Sequence, residues 1–373
     1  GSYHVVDEKT NKEVSFGLVR FANIDPCVNM ALALLSADWP DDTAVFVMCY
    51  HSRQVLLLRH EQEAYLDHVL RRKQERGVQV SFQDTILRSH LDGHREKRCI
   101  FLVVATPVEE IGRDHDFDWA IVEPSSYRSI IQLAGRVHRH RPCLQDISAP
   151  NIGVMQFNWQ GMMNPAQRAV FCRPLQSHDM KELVPDGNWD HIDAIPRVQI
   201  PKPLCPKSRL IDLEHQRLAD WRSLDDKSPD EVGGWQQTCW WMTGLPQYLR
   251  PFRAGVPDQD LCYRYDAREG MLGFYKMDKG EYIRYEDMCN LRPYPEEKLD
   301  LYRERFWLPR DYMASLQAQA VRKSYSDEEG EVLQRISERY GQLMLPAYAD
   351  ESSTPYWYDD QLGAFHILMK ERK

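Results

Sequence analysis

Apolar and polar positions in residues 14–160 alternate between two kinds of segment. Short runs rich in Val, Ile, Leu and Phe are typical of strands that are buried on both faces of a parallel sheet. Five such runs predict strands: Val14–Arg20, Ala44–Cys49, Cys99–Ala105, Trp119–Val122 and Ile152–Phe157. Three segments with helical spacing predict helices between them: Pro26–Ser36, Leu56–Gln74 and Ser129–Arg139. This alternation predicts an α/β fold, in which helices cover both faces of a parallel sheet.

The middle of the chain is rich in proline. Residues 142–206 hold nine of the 22 prolines, a density that disfavours helices and central strands. We expect an irregular segment that leads out of the sheet domain. Next, Ser208–Leu224 predicts an amphipathic linker helix with Ser208 as its N-cap. The apolar stripe of that helix indicates core packing rather than ligand binding.

The last part of the chain, residues 230–373, has a different composition, with five of the ten tryptophans and many tyrosines. Residues 260–285 predict a small antiparallel sheet with glycine-containing turns. Arginines interleaved with tyrosines there suit either stacking on single-stranded nucleic acid or an aromatic sheet core, and both interpretations stay open. Tyr302–Lys323 and Glu331–Leu345 predict helices.

These segments predict a division into four parts. Residues 1–13 are a connector that begins with a cloning scar, and residues 14–206 form the sheet domain with its proline-rich exit. Residues 207–229 form the linker helix, and residues 230–373 form an α+β accessory domain.

Overall charge and cysteine usage narrow the class of protein. A net charge of −9 argues against a surface that coats DNA, so any nucleic-acid contact must be local. The nine cysteines are odd in number and scattered, which argues against disulfides or a zinc site and favours a cytoplasmic location. His90 and His94 have a zinc-like spacing, but Asp92-Gly93 between them and the lack of a third ligand led us to expect no metal site. No apolar run is long enough to cross a membrane.

The most informative segment is residues 132–141, which places three arginines and two histidines within six residues of one another. With no acidic residue between Arg128 and Arg141, the guanidinium groups are predicted to be unpaired and to bind an anion such as a triphosphate or a nucleic-acid backbone. A solvated basic face is the alternative.

A second candidate segment, residues 106–118, follows the predicted strand Cys99–Ala105. Ligands of open α/β sheets gather where strands end. The Thr106 hydroxyl suits a phosphate oxygen, Gly112 permits close backbone approach, and Asp114 and Asp116 suit a ribose hydroxyl or ordered water.

Together the two segments resemble motifs V and VI of superfamily 2 helicases. Two sequence motifs resemble those of the helicase–nuclease of type I CRISPR systems: Ala105-Thr106-x-Val-x-Glu110-x-Gly112-x-Asp114-x-Asp116 and Gly135-Arg136-x-x-Arg139-His140-Arg141. The sequence segments 17–24 and 127–132 are most similar to the type I-F subgroup of that family. The recognisable motifs cover about residues 14–160.

The resemblance implies a fold and a set of roles. It implies that the sheet domain is the second RecA-like domain of a helicase, followed by a C-terminal accessory domain. Residues implied to act in catalysis are Gln132, Arg136 and Arg139; those implied to bind ATP are Gly112, Asp114, Gln132, Arg136 and Arg139. Residues implied to lie near DNA are Thr106, Glu110, Tyr50, His51, Ser52 and Arg53. No residue of this chain is expected to bind a metal.

The family's activity is 3′→5′ translocation on single-stranded DNA, driven by ATP and Mg²⁺, with cleavage by a metal-dependent nuclease. The sequence contains neither a phosphate-binding Gly-Lys-Ser/Thr loop nor a Mg²⁺-binding acidic box, so the chain alone is expected to be inactive. An N-terminal nuclease domain and a first RecA-like domain of the same protein are the implied partners within one chain. Further implied partners are the RNA-guided surveillance complex, the adaptation integrase and a phage anti-CRISPR protein.

Two alternatives remain open. One is that the chain is a fragment of a cellular superfamily 2 RNA or DNA helicase. The other is that it acts in isolation as a binding module for the surveillance complex or for a phage inhibitor.

Overall fold

The computed structural model describes residues 3–73, 77–110, 112–141, 149–163, 173–184, 189, 191–222, 239, 243–244, 248, 258–285, 291–323, 329–346 and 354–368. The chain divides into two compact units. The first contains residues 1–122, 132–153 and 258–373, and the second contains residues 123–131 and 154–257. The four-part division predicted above is left as a prediction.

A six-stranded sheet forms the centre of the first unit. Its strands are β1 (Val5–Val6), β2 (Glu13–Arg20), β3 (Thr43–Tyr50), β4 (Arg98–Ala105), β5 (Trp119–Val122) and β6 (Ile152–Val154). The order is β3-β4-β2-β5-β6, with β1 antiparallel to β2. The β3, β4, β2 and β5 strands run parallel, with Phe16 opposite Phe101 and Gly17 opposite Trp119. Because β2, β3 and β4 are almost entirely buried, their unbroken apolar runs match the predicted α/β class.

The helices of this region are α1 (Ile24–Ser36), α2 (Leu56–Val69), α3 (Gly77–Ser81), α4 (Thr85–Gly93) and α5 (Tyr127–Ala134). Predicted strand ends agree with the structure to within one residue, except that β6 stops at Val154 rather than Phe157. The predicted helix Leu56–Gln74 is wrong in its last turn, since α2 ends at Val69. The predicted helix Ser129–Arg139 is also too long. It ends at Ala134, after which Val137 pairs with Phe117 and His138 adopts a φ of 51°.

The accessory region contributes two more sheets to the first unit. Its strands are β7 (Asp258–Asp266), β8 (Met271–Asp278), β9 (Glu281–Arg284), β10 (Leu291–Pro293), β11 (Gln342–Pro346), β12 (Tyr356–Asp359) and β13 (Gly363–Phe365). The predicted antiparallel sheet exists as β11-β7-β8-β9, beside a three-stranded sheet β10-β12-β13. The ring centroids of Tyr263 and Phe274 lie 4.4 Å apart, and both residues pack in a hydrophobic core that includes Val55 and Leu58 of the α/β region. These aromatic residues therefore serve the sheet core.

The accessory helices differ from their predicted bounds. They are α10 (Glu296–Asp300), α11 (Tyr312–Lys323) and α12 (Glu329–Tyr340). The predicted helix from Tyr302 begins ten residues later. The predicted end at Leu345 is wrong because residues 342–346 pair with β7 as the strand β11.

The second unit contains three short helices within the proline-rich segment and a longer helix after it. They are α6 (Trp159–Met163), α7 (Met180–Leu183), α8 (Ile195–Val198) and α9 (Leu210–Trp221). The linker helix α9 begins with Arg209 as its N-cap, so Ser208 as the cap was wrong. Leu210 and Leu213 are buried, whereas Leu218 is exposed. Leu224 lies outside the described residues. Within the part of the chain described, no helix combines the length and apolar character needed to cross a bilayer.

Gly17 lies where the neighbouring strand leaves no room for a side chain. A Cβ there would lie 2.5 Å from Cη2 of Trp119. We expect Gly17→Ala to destabilise the chain by about 1–3 kcal/mol, because overpacking forces side chains and backbone to move. Gly93→Ala, at the end of α4, meets no atom within 4 Å and should be neutral or slightly stabilising. Denaturant unfolding of both variants checks this, and equal stabilities would contradict it.

Candidate functional site

The two candidate segments lie side by side, 20 residues apart in sequence at their point of contact. Phe117 and Val137 form a parallel bridge. The Phe117 amide donates to the Arg136 carbonyl at 2.8 Å, and the His138 amide donates to the Phe117 carbonyl at 3.0 Å. The segment 114–118 therefore contacts the segment 136–141 along its length.

The arginines of the second segment are paired with aspartates of the first. Arg139 Nε donates to Asp114 Oδ1 at 2.8 Å. Arg141 donates to Asp116 Oδ1 at 2.8 Å and to Asp118 Oδ1 at 2.5 Å. The prediction of unpaired guanidinium groups was therefore wrong for Arg139 and Arg141. The aspartates come from a segment more than 20 residues earlier in the sequence, so inspection of the local run could not reveal them.

Asp118 is the centre of a buried charge cluster. It is 1% exposed and accepts hydrogen bonds from the Phe16 amide at 2.7 Å and from Arg72 Nη1 at 2.9 Å, in addition to Arg141. Arg72 is itself buried and lies over the Phe16 ring, with its Cζ 4.4 Å from the ring centroid. Burial alone would raise the pKa of Asp118, but Arg72 and Arg141 outweigh it and hold the pKa below its ordinary value. The cluster thus fixes the position of the 116–118 backbone.

The end of α2 and the residues after it hold the other side of the first segment. The Asp116 amide donates to the Leu70 carbonyl at 3.1 Å, and Lys73 forms an ion pair with Asp114. Lys73, followed by Arg139 and His140, lowers the pKa of Asp114. Asp114 is therefore an ionised anchor between the two cationic sides of the site.

The residues implied to contact ATP differ in exposure. Gly112, Gln132 and Arg139 are exposed, and Arg139 is held by Asp114 and by the Gly135 carbonyl, to which its Nη1 donates at 3.0 Å. Its Nη2 makes no hydrogen bond to the described residues. An exposed guanidinium with a free donor and an exposed amide side chain are groups that suit phosphate oxygens. Their contact with a nucleotide stays a prediction.

Arg136 is less accessible than Arg139. Its residue is 8% exposed, and its Nη2 donates to the Glu110 carbonyl at 2.8 Å. Burial, followed by the nearby charge of Arg139, lowers the pKa of Arg136. In this conformation Arg136 braces the site, and Arg139 is the arginine that faces solvent.

The residues implied to lie near DNA at the end of β4 are buried. Thr106 is 4% exposed and Glu110 is 6% exposed. Glu110 accepts a hydrogen bond from Nε of the buried Arg20 at 2.6 Å. In this conformation neither side chain is available for a direct contact with DNA. Pro107 and Val108 are the half-buried residues of the 106–110 turn, and a contact with DNA there stays a prediction.

In the stretch from Tyr50 to Arg53, which is also implied to lie near DNA, two of the four residues are buried. Tyr50 and His51 are 1% and 0% exposed. The Tyr50 hydroxyl donates to Glu63 at 2.8 Å, and His51 Nε2 lies 2.7 Å from the Leu362 carbonyl. A direct DNA contact by these two side chains is therefore not supported, because β3 and the accessory region enclose them. Ser52 and Arg53 are half-buried, and they remain the accessible members of this stretch.

Several charged residues of the site were missed from sequence. They include Arg20, Arg72, Lys73 and Asp118, and also His115, whose ring nitrogens lie 2.5 Å from Glu109 Oε1 and 3.0 Å from Asp67 Oδ1. One signal was available, since Glu63 and Asp67 lie one helical turn apart on α2 and so present two carboxylates on one face. Arg20, Arg72 and Lys73 have partners that are distant in sequence, and no local pattern points to them.

The site's carboxylates do not fit a metal ion. Within the described ranges, no group of three or more His, Cys, Asp or Glu is arranged to hold one. Mg²⁺ takes oxygen ligands in octahedral geometry, but Asp114, Asp116 and Asp118 are each engaged by arginine or lysine. A Mg²⁺ ion that accompanies ATP would have to be held by groups outside these three.

Comparisons with known proteins agree with the motif resemblance. Residues 13–142 match the family model described as CRISPR-associated nuclease/helicase Cas3, C-terminal. The chain is 36% identical over 370 residues to the CRISPR-associated nuclease/helicase Cas3 subtype I-F/YPEST of Pseudomonas aeruginosa, which covers 95% of this chain and 32% of that protein. It is 35% identical over 274 residues to the protein of the same description from Pectobacterium atrosepticum, covering 69% of this chain and 24% of that one.

Among solved structures, the crystal structure of T. fusca Cas3 matches 94% of this chain and 37% of that chain at 13% identity, with a TM-score of 0.38. The same protein with AMPPNP matches with a TM-score of 0.37 at 13% identity, over 94% of this chain and 36% of that one.

The family model and the two sequence relatives define the class as a Cas3-like nuclease/helicase. The chain belongs to this family, in which it corresponds to the C-terminal part and is similar to subtype I-F. It spans about a third or less of the length of the curated relatives that it matches.

Proposed function

We propose that this chain is the arginine-supplying part of an ATP-dependent, single-stranded DNA translocase and nuclease that acts in type I-F CRISPR interference. The observation that carries the proposal is the exposed guanidinium of Arg139, which is fixed by Asp114 on a framework of buried ion pairs. A cation held in place before reaction stabilises developing charge without the cost of reorganisation. The I-F relatives, named as nuclease/helicase proteins, support the choice of reaction.

The proposed ATP hydrolysis requires groups from another domain in addition to those of this chain. ATP would supply the phosphoryl group whose transfer drives translocation. Gln132 and Arg139 would contact its phosphates from this chain, Arg139 would stabilise the negative charge of the transition state, and Gly112 would leave room for the nucleotide. We propose that the phosphate-binding loop and the Mg²⁺ ligands come from a first RecA-like domain, and the metal-dependent cleavage site from an N-terminal nuclease domain.

The remaining roles extend the same proposal. Single-stranded DNA would pass along the 106–110 turn, with Ser52 and Arg53 as further accessible groups. We propose the RNA-guided surveillance complex as the recruiting partner, the adaptation integrase as a second partner, a phage anti-CRISPR protein as an inhibitor, and the cytoplasm as the location.

A directional displacement assay tests the proposal. The full-length protein, ATP and DNA carrying streptavidin at one end would be combined, and streptavidin release would be measured. We expect ATP-dependent release from the 5′ end only, because a 3′→5′ translocase runs into that end. Release from the 3′ end, or no dependence on ATP, would contradict the proposed activity.

Binding assays with the surveillance complex and with RNA distinguish the proposed function from its alternatives. The purified 373-residue chain would be incubated with surveillance complex of type I-F and, separately, with structured RNA. Retention of the complex supports the recruiting partner and is also what an isolated binding module would give. ATP-dependent unwinding of RNA duplexes by the full-length protein, without retention of the complex, would favour a cellular superfamily 2 helicase.

A further inference from the structure

A cleft of about 870 Å³ lies between α2 and the accessory region. Its volume is typical of sites for small organic ligands. No residue of the two candidate segments, 106–118 and 132–141, lines it. Five of its lining residues are carboxylates and two are arginines: Glu61, Glu296, Asp311, Asp359 and Asp360, with Arg303 and Arg310. The cleft is therefore a charged site separate from the arginine segment described above.

The two aspartates at the end of β12 are engaged by neutral donors. Asp359 Oδ1 accepts from the amides of Gln361 at 2.7 Å and Leu362 at 3.2 Å. Asp360 accepts from the Tyr358 hydroxyl at 2.9 Å. Burial raises the pKa of Asp359 to about 6 and raises the pKa of Asp360 above its ordinary value. A cation bound directly to these carboxylates would offset that cost of burial.

The other carboxylates of the cleft also lack a bonded cation. Glu61 accepts from the Ser315 hydroxyl at 2.7 Å, and Asp311 accepts from the Ala314 amide at 2.9 Å. Within the ranges that the structure describes, none of the five carboxylates forms an ion pair. Buried charges in proteins are usually paired or coordinate a metal. Since no group of acidic, histidine or cysteine residues in the described part of the chain is arranged to hold a metal ion, the partner that fits is an organic cation.

Arg310 supplies the opposite charge to the same cleft. It is 9% exposed, and its Nη2 donates to the Gln361 carbonyl at 2.6 Å. Its Nε and Nη1 have no hydrogen-bond partner among the described residues. Arg303, in contrast, is paired with Asp300. Because a guanidinium carries five N–H donors, Arg310 has donors left for an anionic group, and a carboxylate matches their geometry.

Aromatic and apolar side chains form much of the remaining lining. Four tyrosines contribute: Tyr65, Tyr263, Tyr294 and Tyr358. The face of a tyrosine ring attracts a cation, and a planar guanidinium also stacks on it. Apolar surface for methylene groups comes from Leu299, Phe306, Leu308 and Pro309. The lining thus suits a short aliphatic chain that ends in a guanidinium.

We propose that this cleft binds a basic amino acid of the arginine type with a free carboxylate, either as the free amino acid or as the C-terminal residue of a peptide. Arg310 binds the carboxylate of this ligand. Asp359, Asp360 and Glu61 bind its positively charged groups. The proposal adds a ligand site to the chain and does not depend on the proposed ATP chemistry.

The first test uses a matched pair of ligands on the purified 373-residue chain. Isothermal titration compares L-arginine with agmatine, which is arginine without its carboxylate. We expect agmatine to bind at least about tenfold more weakly, because it cannot hydrogen-bond to Arg310. Agmatine carries the greater net positive charge, so simple attraction to an acidic surface predicts the opposite order.

The second test changes the acidic part of the cleft. Asp359→Asn keeps the oxygen that accepts from the Gln361 and Leu362 amides but removes the charge. We expect it to weaken L-arginine binding by at least about tenfold. The control is Asp260→Asn, which removes an exposed carboxylate of β7 outside the cleft and should leave the affinity unchanged.

A further variant keeps the test decisive if Asp359→Asn does not fold. Glu61→Gln retains an oxygen that accepts from the Ser315 hydroxyl and removes a charge on α2. We expect it to weaken L-arginine binding by at least about threefold, since pairs nearer the surface contribute less.

The tripeptide Gly-Gly-Arg distinguishes the two sources of the ligand. Tighter binding of this peptide than of L-arginine supports a C-terminal residue, and the reverse order supports the free amino acid. Three results would each overturn the proposal. They are agmatine binding as tightly as L-arginine, equal affinities in the cleft variants and Asp260→Asn, and no saturable binding of either L-arginine or Gly-Gly-Arg.

Discussion

Replacing Arg139 with alanine in the full-length protein is expected to reduce kcat for ATP hydrolysis by about 10³–10⁵-fold, the range for arginines that act on a transferring phosphoryl group. Arg139 is the exposed arginine of the 136–141 segment, and Asp114 and the Gly135 carbonyl fix its orientation. A group that acts in the transition state lowers kcat more than it raises KM. Steady-state ATP turnover at saturating single-stranded DNA measures the effect.

The matched control is Arg303→Ala. Arg303 is also an exposed arginine paired with an aspartate, Asp300, at 2.5 Å, but it lies in the accessory region. We expect its turnover to equal that of the wild type. Turnover near wild type in Arg139→Ala would transfer the role to Arg136 or Arg141, even though Arg141 is engaged by two buried carboxylates.

Replacing Asp118 with alanine is expected to destabilise the 373-residue chain by about 3–5 kcal/mol, the usual cost of breaking a buried ion pair. The change leaves the buried Arg72 without its carboxylate and removes one of the two acidic partners of Arg141. It also leaves the buried Phe16 amide without its acceptor. Denaturant unfolding measures the effect, and Asp300→Ala at an exposed pair, expected to cost about 0–1 kcal/mol, is the control. Equal losses in both variants would contradict the central role of Asp118.

The same cluster sets a dependence of stability on pH. The pKa of Asp118 is lower in the folded chain than its ordinary value of 3.8. Its contribution is therefore complete above about pH 4 and is lost as the pH falls towards the folded pKa. We expect the stability difference between wild type and Asp118→Ala to shrink on acidification through that window. A difference that stays constant down to pH 2 would show that Asp118 does not contribute through its charge.

Local sequence patterns were sufficient to predict the strands of the parallel sheet. The runs that became β2, β3 and β4 are buried on both faces, so hydrophobicity alone marks their ends to within a residue. Where tertiary pairing competes with local propensity, the prediction failed. Residues 342–345 have a helical pattern but form a strand, because Gln342 and its neighbours pair with β7.

The candidate site was located from sequence, but its internal arrangement was not. The spacing of Gly135, Arg136 and Arg139 led to the prediction of a site in this segment, whereas the ion pairs of Arg139 and Arg141 depend on a backbone pairing across 20 residues. The burial of His51 depends on Leu362, 311 residues away. Such contacts follow from the packed fold, and no window of sequence contains both partners.

The most direct measurement of the central claim is ATP turnover by the purified 373-residue chain, with single-stranded DNA, beside the full-length protein at equal molar concentration. If this chain supplies arginines to a nucleotide site that another domain completes, the full-length protein hydrolyses ATP in response to DNA. The chain alone then gives no turnover above that of its own Arg139→Ala variant. DNA-stimulated turnover by the chain alone that disappears in Arg139→Ala would contradict the account, because it would mean that these residues form a complete ATPase site.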